Sequence, residues 1–146
     1  MKKPIVVMVL DDEAIVGERL KPVLEKAGFE VETFTESPKA MKRLEEKEFH
    51  ILVTDLKMEG PSGLDVIRHL KEHQPDIQAI LITGYPTIER YRETEYMNAT
   101  FVTKPFKLEQ IVKLVQGAAR NLEKLEKKSK SARRGYGKEK PSDGLG

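Results

Sequence analysis

Five short apolar runs alternate with amphipathic segments along most of the chain. The runs occupy residues 5–10, 29–34, 50–54, 78–82 and 100–103. Runs 5–10 and 51–53 are apolar at successive positions, which is typical of strands covered on both faces of a parallel sheet. Helical periodicity between the runs predicts βα units with right-handed crossovers. The pattern therefore predicts an α/β protein built on a doubly wound parallel sheet.

The five predicted helices differ in how clearly the sequence marks them. Ser37 is expected to cap the second helix, with Pro38 in its first turn. The fourth helix, from 86 to about 97, is weakly apolar, and we expect it to be short or irregular. Asn98 ends it, since asparagine enters the left-handed backbone region at low cost. The apolar stripe of the fifth helix, which starts at Leu108, continues past the expected edge of the domain.

Charge divides the chain into an acidic body and a basic end. Residues 1–123 hold 18 Lys and Arg against 21 Asp and Glu, whereas residues 124–146 hold 8 against 3. We expect one domain over 1–123 and a disordered basic tail or linker over 124–146. The absence of cysteine excludes disulfides and thiolate sites. Because no signal peptide or membrane span is predicted, we expect a cytoplasmic protein.

Residues that can carry chemistry follow four of the predicted strands. They are Asp11, Asp12, Asp55, Thr83 and Lys104. In doubly wound sheets, ligands bind outside the carboxyl ends of the strands. Carboxylates about 5 Å apart repel by a few kcal/mol per pair at an effective dielectric constant of about 20, so the site favours a cation. Oxygen ligands suit Mg²⁺ or Mn²⁺, and one carboxylate can serve as the nucleophile that forms an aspartyl phosphate.

Four segments in this order resemble the CheY-like receiver domain of response regulators in two-component signalling. They are LDDE at 10–13, VTDLKMEGPSG at 53–63, LITGY at 81–85 and FVTKPF at 101–106. The resemblance covers residues 4 to about 122 and depends on the order and spacing of all four segments. It implies a flavodoxin-like sheet of five strands in the order 2-1-3-4-5, flanked by five helices.

The resemblance also implies the role of each site residue. Asp55 would be the phosphoacceptor, and Asp11 and Asp12 would hold Mg²⁺ together with it. The backbone carbonyl of Lys57 would complete the protein ligands of the metal, and Lys104 would contact the phosphoryl group. Since such a domain catalyses only its own phosphorylation and dephosphorylation, we do not expect a conventional enzyme.

Other family positions concern switching and the lifetime of the phosphoryl group. Thr83 would move toward the phosphate, and Phe101 would turn inward as it does so. The face changed would be that of the fourth helix, the fifth strand and the fifth helix. By the resemblance, Lys57 and Tyr85 would flank the path of the hydrolytic water, and neither is an amide or acid suited to orient it. We therefore expect slow self-dephosphorylation.

The resemblance implies partners as well. A sensor histidine kinase or a phosphotransfer protein would donate the phosphoryl group, and a downstream protein or attached output domain would respond. A homodimer through the switching face is a further expected arrangement. Direct sequence-specific DNA binding is not expected, because the tail is shorter than a DNA-binding module of about 60 residues. The sequence leaves open whether the chain is a separate relay protein or part of a longer regulator.

Several alternatives were weighed against this interpretation. Asp11 and Asp12 could only cap the first helix. A phosphohydrolase of the haloacid-dehalogenase type needs a second acid where Lys57 stands, and the acidic residues after the first strand would repel the phosphate of a flavin. A degenerate receiver that docks partners without phosphorylation is the main alternative. The five filled chemical positions argue against it.

Overall fold

The computed structural model describes residues 3–56, 58, 60–84, 86–89, 92 and 98–139, with side chains as far as residue 128. Its elements are β1 (Val6–Leu10), α1 (Ala14–Lys26), β2 (Glu30–Phe34), α2 (Ser37–Glu46), β3 (Ile51–Asp55), α3 (Gly63–His73), β4 (Gln78–Thr83), β5 (Thr100–Thr103) and α4 (Leu108–Glu139). All four strand pairings are parallel, in the order β2-β1-β3-β4-β5. The predicted doubly wound sheet and its strand order are confirmed.

Both faces of the sheet are covered by helices, as the unbroken apolar runs predicted. Every residue of β1 and β3 is buried. Met8 and Leu10 belong to the core beneath α2 and α3, whereas Val7 and Val9 belong to the core beneath α1 and α4. Burial of each such side chain stabilises the fold by roughly 2 kcal/mol. Packing on both faces thus fixes the positions of the strands and of the residues directly after them.

Ser37 does not cap α2, so that prediction was wrong. The N-cap position is Glu36, which makes no capping side-chain bond, and Ser37 is the first helical residue. Ser37 is buried, and its hydroxyl donates a hydrogen bond of 2.7 Å to the carbonyl of Pro61. The tertiary contact occupies the hydroxyl that would otherwise cap the helix. It also ties the start of α2 to the loop that follows β3.

The predicted fourth helix lies mostly outside the described residues, so its length and regularity stay predictions. Ile88 and Glu89 within it have helical backbone. Asn98 has a φ of 61°, in the left-handed region that was expected there. This turn directs the chain into β5.

Helix α4 corresponds to the predicted fifth helix and extends well beyond it. Ile111 and Val115 bury its first part against the sheet. Its backbone is also helical over 124–139, where we expected disorder. Lys and Arg make up seven of these sixteen residues, and both favour helix. The division into a domain at 1–123 and a tail at 124–146 stays a prediction. Within the described ranges, no helix combines the length and apolarity that crossing a bilayer requires.

Candidate functional site

The register of the parallel sheet brings four of the predicted site residues to one edge. The pairing of β1 with β3 ends just before Asp11 and Asp55, so these residues follow neighbouring strands. Asp55 pairs with the residue of β4 that precedes Thr83. Thr83 in turn pairs with the last residue of β5, directly before Lys104. Residues far apart in sequence therefore meet because each stands at the carboxyl end of a strand.

Three carboxylates form a group that fits a metal ion. Asp11, Asp12 and Asp55 each offer an oxygen, and these oxygens all lie within 4.8 Å of one another. Asp11 and Asp55 are buried, with 3% and 6% of their surfaces exposed, whereas Asp12 is exposed. A site of carboxylate oxygens without histidine or cysteine suits a hard divalent cation such as Mg²⁺ or Mn²⁺. The exposed Asp12 leaves one side of the group open to solvent.

Lys104 joins the two buried carboxylates. Its Nζ lies 3.3 Å from Asp11 Oδ2 and 3.4 Å from Asp55 Oδ2. Burial alone would lower the pKa of Lys104, but the two carboxylates outweigh it and raise that pKa. Glu13 Oε1 lies 3.8 Å from the same ammonium group, a contact that the sequence analysis did not assign. A charged donor is therefore held beside Asp55.

Burial disfavours the charged form of the Asp11 carboxyl. Burial raises its pKa from 3.8 to about 6, and the charge of Asp55 adds to this effect. The backbone N–H of Glu13, which donates to Asp11 Oδ1 at 2.9 Å, and the Lys104 ammonium oppose the shift only in part. The N-cap residue of α1 is Glu13, which makes no capping side-chain hydrogen bond. Asp11 is therefore not the N-cap residue of α1, and helix capping does not account for its position. A cation would relieve the cost of its ionisation.

Of the remaining predicted site residues, the structure describes Thr83 and Phe101. Thr83 is buried at the end of β4, and its carbonyl accepts a hydrogen bond of 2.7 Å from the Lys104 N–H. Phe101 is half-buried in β5 and packs against the core beneath α2 and α3. Their switching roles stay predictions. Lys57 and Tyr85 lie outside the described residues, so the metal and lifetime roles expected of them also stay predictions.

Sequence reasoning missed the importance of Gly63, the first residue of α3. A Cβ built there would lie 2.2 Å from the carbonyl oxygen of Asp55 and 3.0 Å from its carbonyl carbon. The Gly63 N–H also donates to the carbonyl of Leu56 at 3.0 Å. The glycine pair in the loop at 60–63 was the available signal, but only the fold reveals which glycine meets the backbone of Asp55. Gly63 allows α3 to start against the candidate acceptor.

Replacing Gly63 with alanine is expected to destabilise the protein by about 1–3 kcal/mol, because backbone must move to accommodate the added methyl group. Urea unfolding followed by circular dichroism measures the effect. Gly117→Ala in α4 is the matched control. A Cβ there meets nothing closer than 3.8 Å, so this change should be neutral or slightly stabilising. A Gly63→Ala protein as stable as the wild type would contradict the packing described here.

Comparisons with known proteins agree with this geometry. A family model described as the response regulator receiver domain matches residues 7–116. The response regulator receiver protein CpdR of Brucella abortus (strain 2308) is 29% identical over 111 residues, which cover 75% of this chain and 92% of that protein. The C4-dicarboxylate transport transcriptional regulatory protein DctD of Rhizobium meliloti (strain 1021) is 32% identical over 142 residues, 95% of this chain but 30% of that protein. The chain thus spans less than a third of the larger relative.

A solved structure is similar as well. The beryllofluoride-activated NtrC4 receiver domain dimer superposes with a TM-score of 0.73 and 30% sequence identity. The match covers 77% of this chain and 94% of that one.

Proposed function

Because this chain belongs to the response regulator receiver family of two-component systems, we propose that it acts as a switch by accepting a phosphoryl group on Asp55. Receivers are regulators rather than conventional enzymes. In this proposal, the chain catalyses only the phosphorylation of its own aspartate and the later hydrolysis. The observation that carries the proposal is the cluster of three carboxylates formed by Asp11, Asp12 and Asp55. The Lys104 ammonium lies within 3.4 Å of two of these carboxylates.

The proposed reaction is an in-line transfer. A carboxylate oxygen of Asp55 forms a bond to phosphorus while the bond from phosphorus to the donor breaks, and the donor leaves with the electron pair. Such a transfer needs positioning and charge neutralisation more than a general base. Lys104 supplies a positive charge to the phosphoryl oxygens, and the Thr83 hydroxyl donates a hydrogen bond to them.

The acidic group supports a role for a divalent cation, as receivers typically bind Mg²⁺ in such a pocket. Asp11, Asp12 and Asp55 would hold Mg²⁺ or Mn²⁺ together with the backbone carbonyl of Lys57. The bound ion would neutralise the charge that gathers on the phosphoryl oxygens. The raised pKa of Asp11 supports this assignment, since a buried carboxyl that ionises at a cost gains most from a neighbouring cation.

The proposal includes the partners expected of a two-component receiver. A sensor histidine kinase or phosphotransfer protein would supply the phosphoryl group, in the cytoplasm. Thr83 and Phe101 would pass the change to the face formed by the predicted fourth helix at 86–97, by β5 and by α4, which is the predicted fifth helix. A downstream protein, an output domain or a second copy of the chain would read that face, and the dimeric NtrC4 receiver supports the last of these. Since neither Lys57 nor Tyr85, at the two family positions that tune the lifetime, is an amide or acid, hydrolysis would be slow.

Incubation with acetyl phosphate tests the proposal. In the presence of MgCl₂, intact-protein mass spectrometry should detect a gain of one phosphoryl group, and EDTA should prevent it. Acetyl phosphate is a suitable donor because no cognate kinase is needed. A protein that gains no mass with either Mg²⁺ or Mn²⁺ would instead be a docking module that works without phosphorylation.

A further inference from the structure

A basic groove lies at the edge of the sheet opposite the aspartates. Two adjoining cavities, of about 620 and 290 Å³, are bounded by the last turns of α3, the first residues of β4 and β5, and α4. They share Gln78, Asn98, Thr100, Asn121 and Lys124 among their lining residues. Neither contains a residue of the candidate phosphorylation site. The groove therefore needs an explanation of its own.

One wall of the basic groove is a row of cations on a single face of α4. Lys113, Arg120, Lys124 and Lys128 line it. Their spacing of four or seven residues places them along the same side of a helix. The row extends over about 22 Å at about 1.5 Å per residue, which matches an extended peptide of about seven residues. All four side chains are exposed, and within the described residues none of them forms an ion pair.

The opposite wall adds one more cation and several hydrogen-bonding groups. Lys71 of α3 is half-buried there, and its Nζ donates to the carbonyl of Ile77 at 2.9 Å. Its pKa is lowered by burial, an effect that Asp76 only partly offsets. Gln78 and Asn98 contribute side-chain amides. Among the described lining residues, Asp76 is the only acid against five basic side chains.

We propose that the basic groove binds an acidic segment of a partner protein. The cation row would pair with its carboxylates, and the amide side chains would hydrogen-bond to its peptide groups. Leu125, which is 43% exposed in the groove, offers an apolar contact between the charges. Nucleic acid fits less well, since no described lining residue is aromatic and single-stranded bases bind by stacking on aromatic rings.

This surface goes beyond the proposed phosphorylation and does not depend on it. Asn121, Lys124 and Lys128 lie past residues 7–116, the part that matches the family model. The groove thus depends on the extension of α4 in this chain. An acidic partner docked there would contact the end of the sheet opposite Asp55.

Fluorescence anisotropy with a labelled peptide of sequence EELEELEE tests the proposal on the full chain at low salt. The wild type should bind it, bind QQLQQLQQ much more weakly, and lose affinity as salt rises. Lys124→Glu with Lys128→Glu should weaken binding by about tenfold or more. Lys124→Gln with Lys128→Gln should give a smaller loss of peptide affinity. This variant replaces the charge reversal if circular dichroism shows that the charge reversal disturbs α4.

The matched control is Lys39→Glu with Lys42→Glu, the same charge change at two exposed positions of α2. It should leave peptide binding unchanged. Equal weakening by the two double variants would overturn the proposal, because net charge alone would then explain binding. Absence of binding to the wild type would overturn it as well. Tighter binding of a random-sequence DNA duplex than of the acidic peptide at the same salt would replace the protein partner with nucleic acid.

Discussion

Replacing Asp55 with asparagine is expected to abolish phosphoryl uptake from acetyl phosphate completely. The neutral amide has nearly the same shape as the carboxylate but lacks the nucleophilic oxygen charge that the reaction uses. The side chain is only 8% exposed and faces Lys104, so the substitution removes a buried charge without leaving a cavity. Intact-protein mass spectrometry in MgCl₂ should find unmodified protein at all times, while circular dichroism should report a native fold.

The matched control for this prediction is Asp76→Asn. Asp76 is an exposed carboxylate before β4, at the opposite edge of the sheet. This variant should take up the phosphoryl group at the wild-type rate. If Asp55→Asn still gained one phosphoryl group, another residue would be the acceptor and the assignment of Asp55 would be wrong.

Replacing Asp11 with asparagine should stabilise the metal-free protein at neutral pH. In the folded state the pKa of Asp11 is about 6, above its usual value of 3.8, so the folded protein holds this proton more tightly than the unfolded chain. The stability linked to Asp11 is therefore present below about pH 4 and is lost as the pH rises toward 6. Asparagine cannot ionise and avoids this loss. We expect a gain on the order of 2 kcal/mol at about pH 7 and little difference at about pH 4.

Urea unfolding with and without excess MgCl₂ tests the Asp11 prediction. Mg²⁺ should stabilise the wild type, since a ligand bound only by the folded state raises the free energy of unfolding. The Asp11→Asn protein should gain much less, because it lacks one of the three carboxylates. Asp76→Asn should behave like the wild type in both conditions. A less stable Asp11→Asn protein without metal at about pH 7 would mean that the carboxylate supports the fold rather than a cation.

The parallel sheet and the position of the candidate site at the carboxyl ends of its strands were predictable, because each depends on a pattern that is local in sequence. Unbroken apolar runs such as those of β1 and β3 occur where both faces of a strand are buried. In a parallel sheet all strands end on the same edge, so Asp11, Asp55, Thr83 and Lys104 could be placed together from their positions after the runs alone. The resemblance to receivers then supplied the roles that these residues are proposed to play.

Features that depend on the packing of distant segments were not predictable. Ser37 is a favoured capping residue, and only the folded chain reveals that its hydroxyl binds Pro61 instead. Gly63 is one of several glycines in the sequence, and its need for a small side chain arises from the Asp55 backbone beside it. The helical backbone over 124–139 also escaped composition-based reasoning, since a basic, polar segment is typical of tails as well as of exposed helices.

Locating the phosphoryl group within the chain tests the central claim most directly. After reaction with acetyl phosphate and MgCl₂, borohydride reduction converts an aspartyl phosphate into homoserine, which peptide mass spectrometry assigns to a sequence position. We predict homoserine at residue 55 alone, and none when EDTA replaces Mg²⁺. Homoserine at another position, or equal conversion at residue 55 without a divalent cation, would contradict the account.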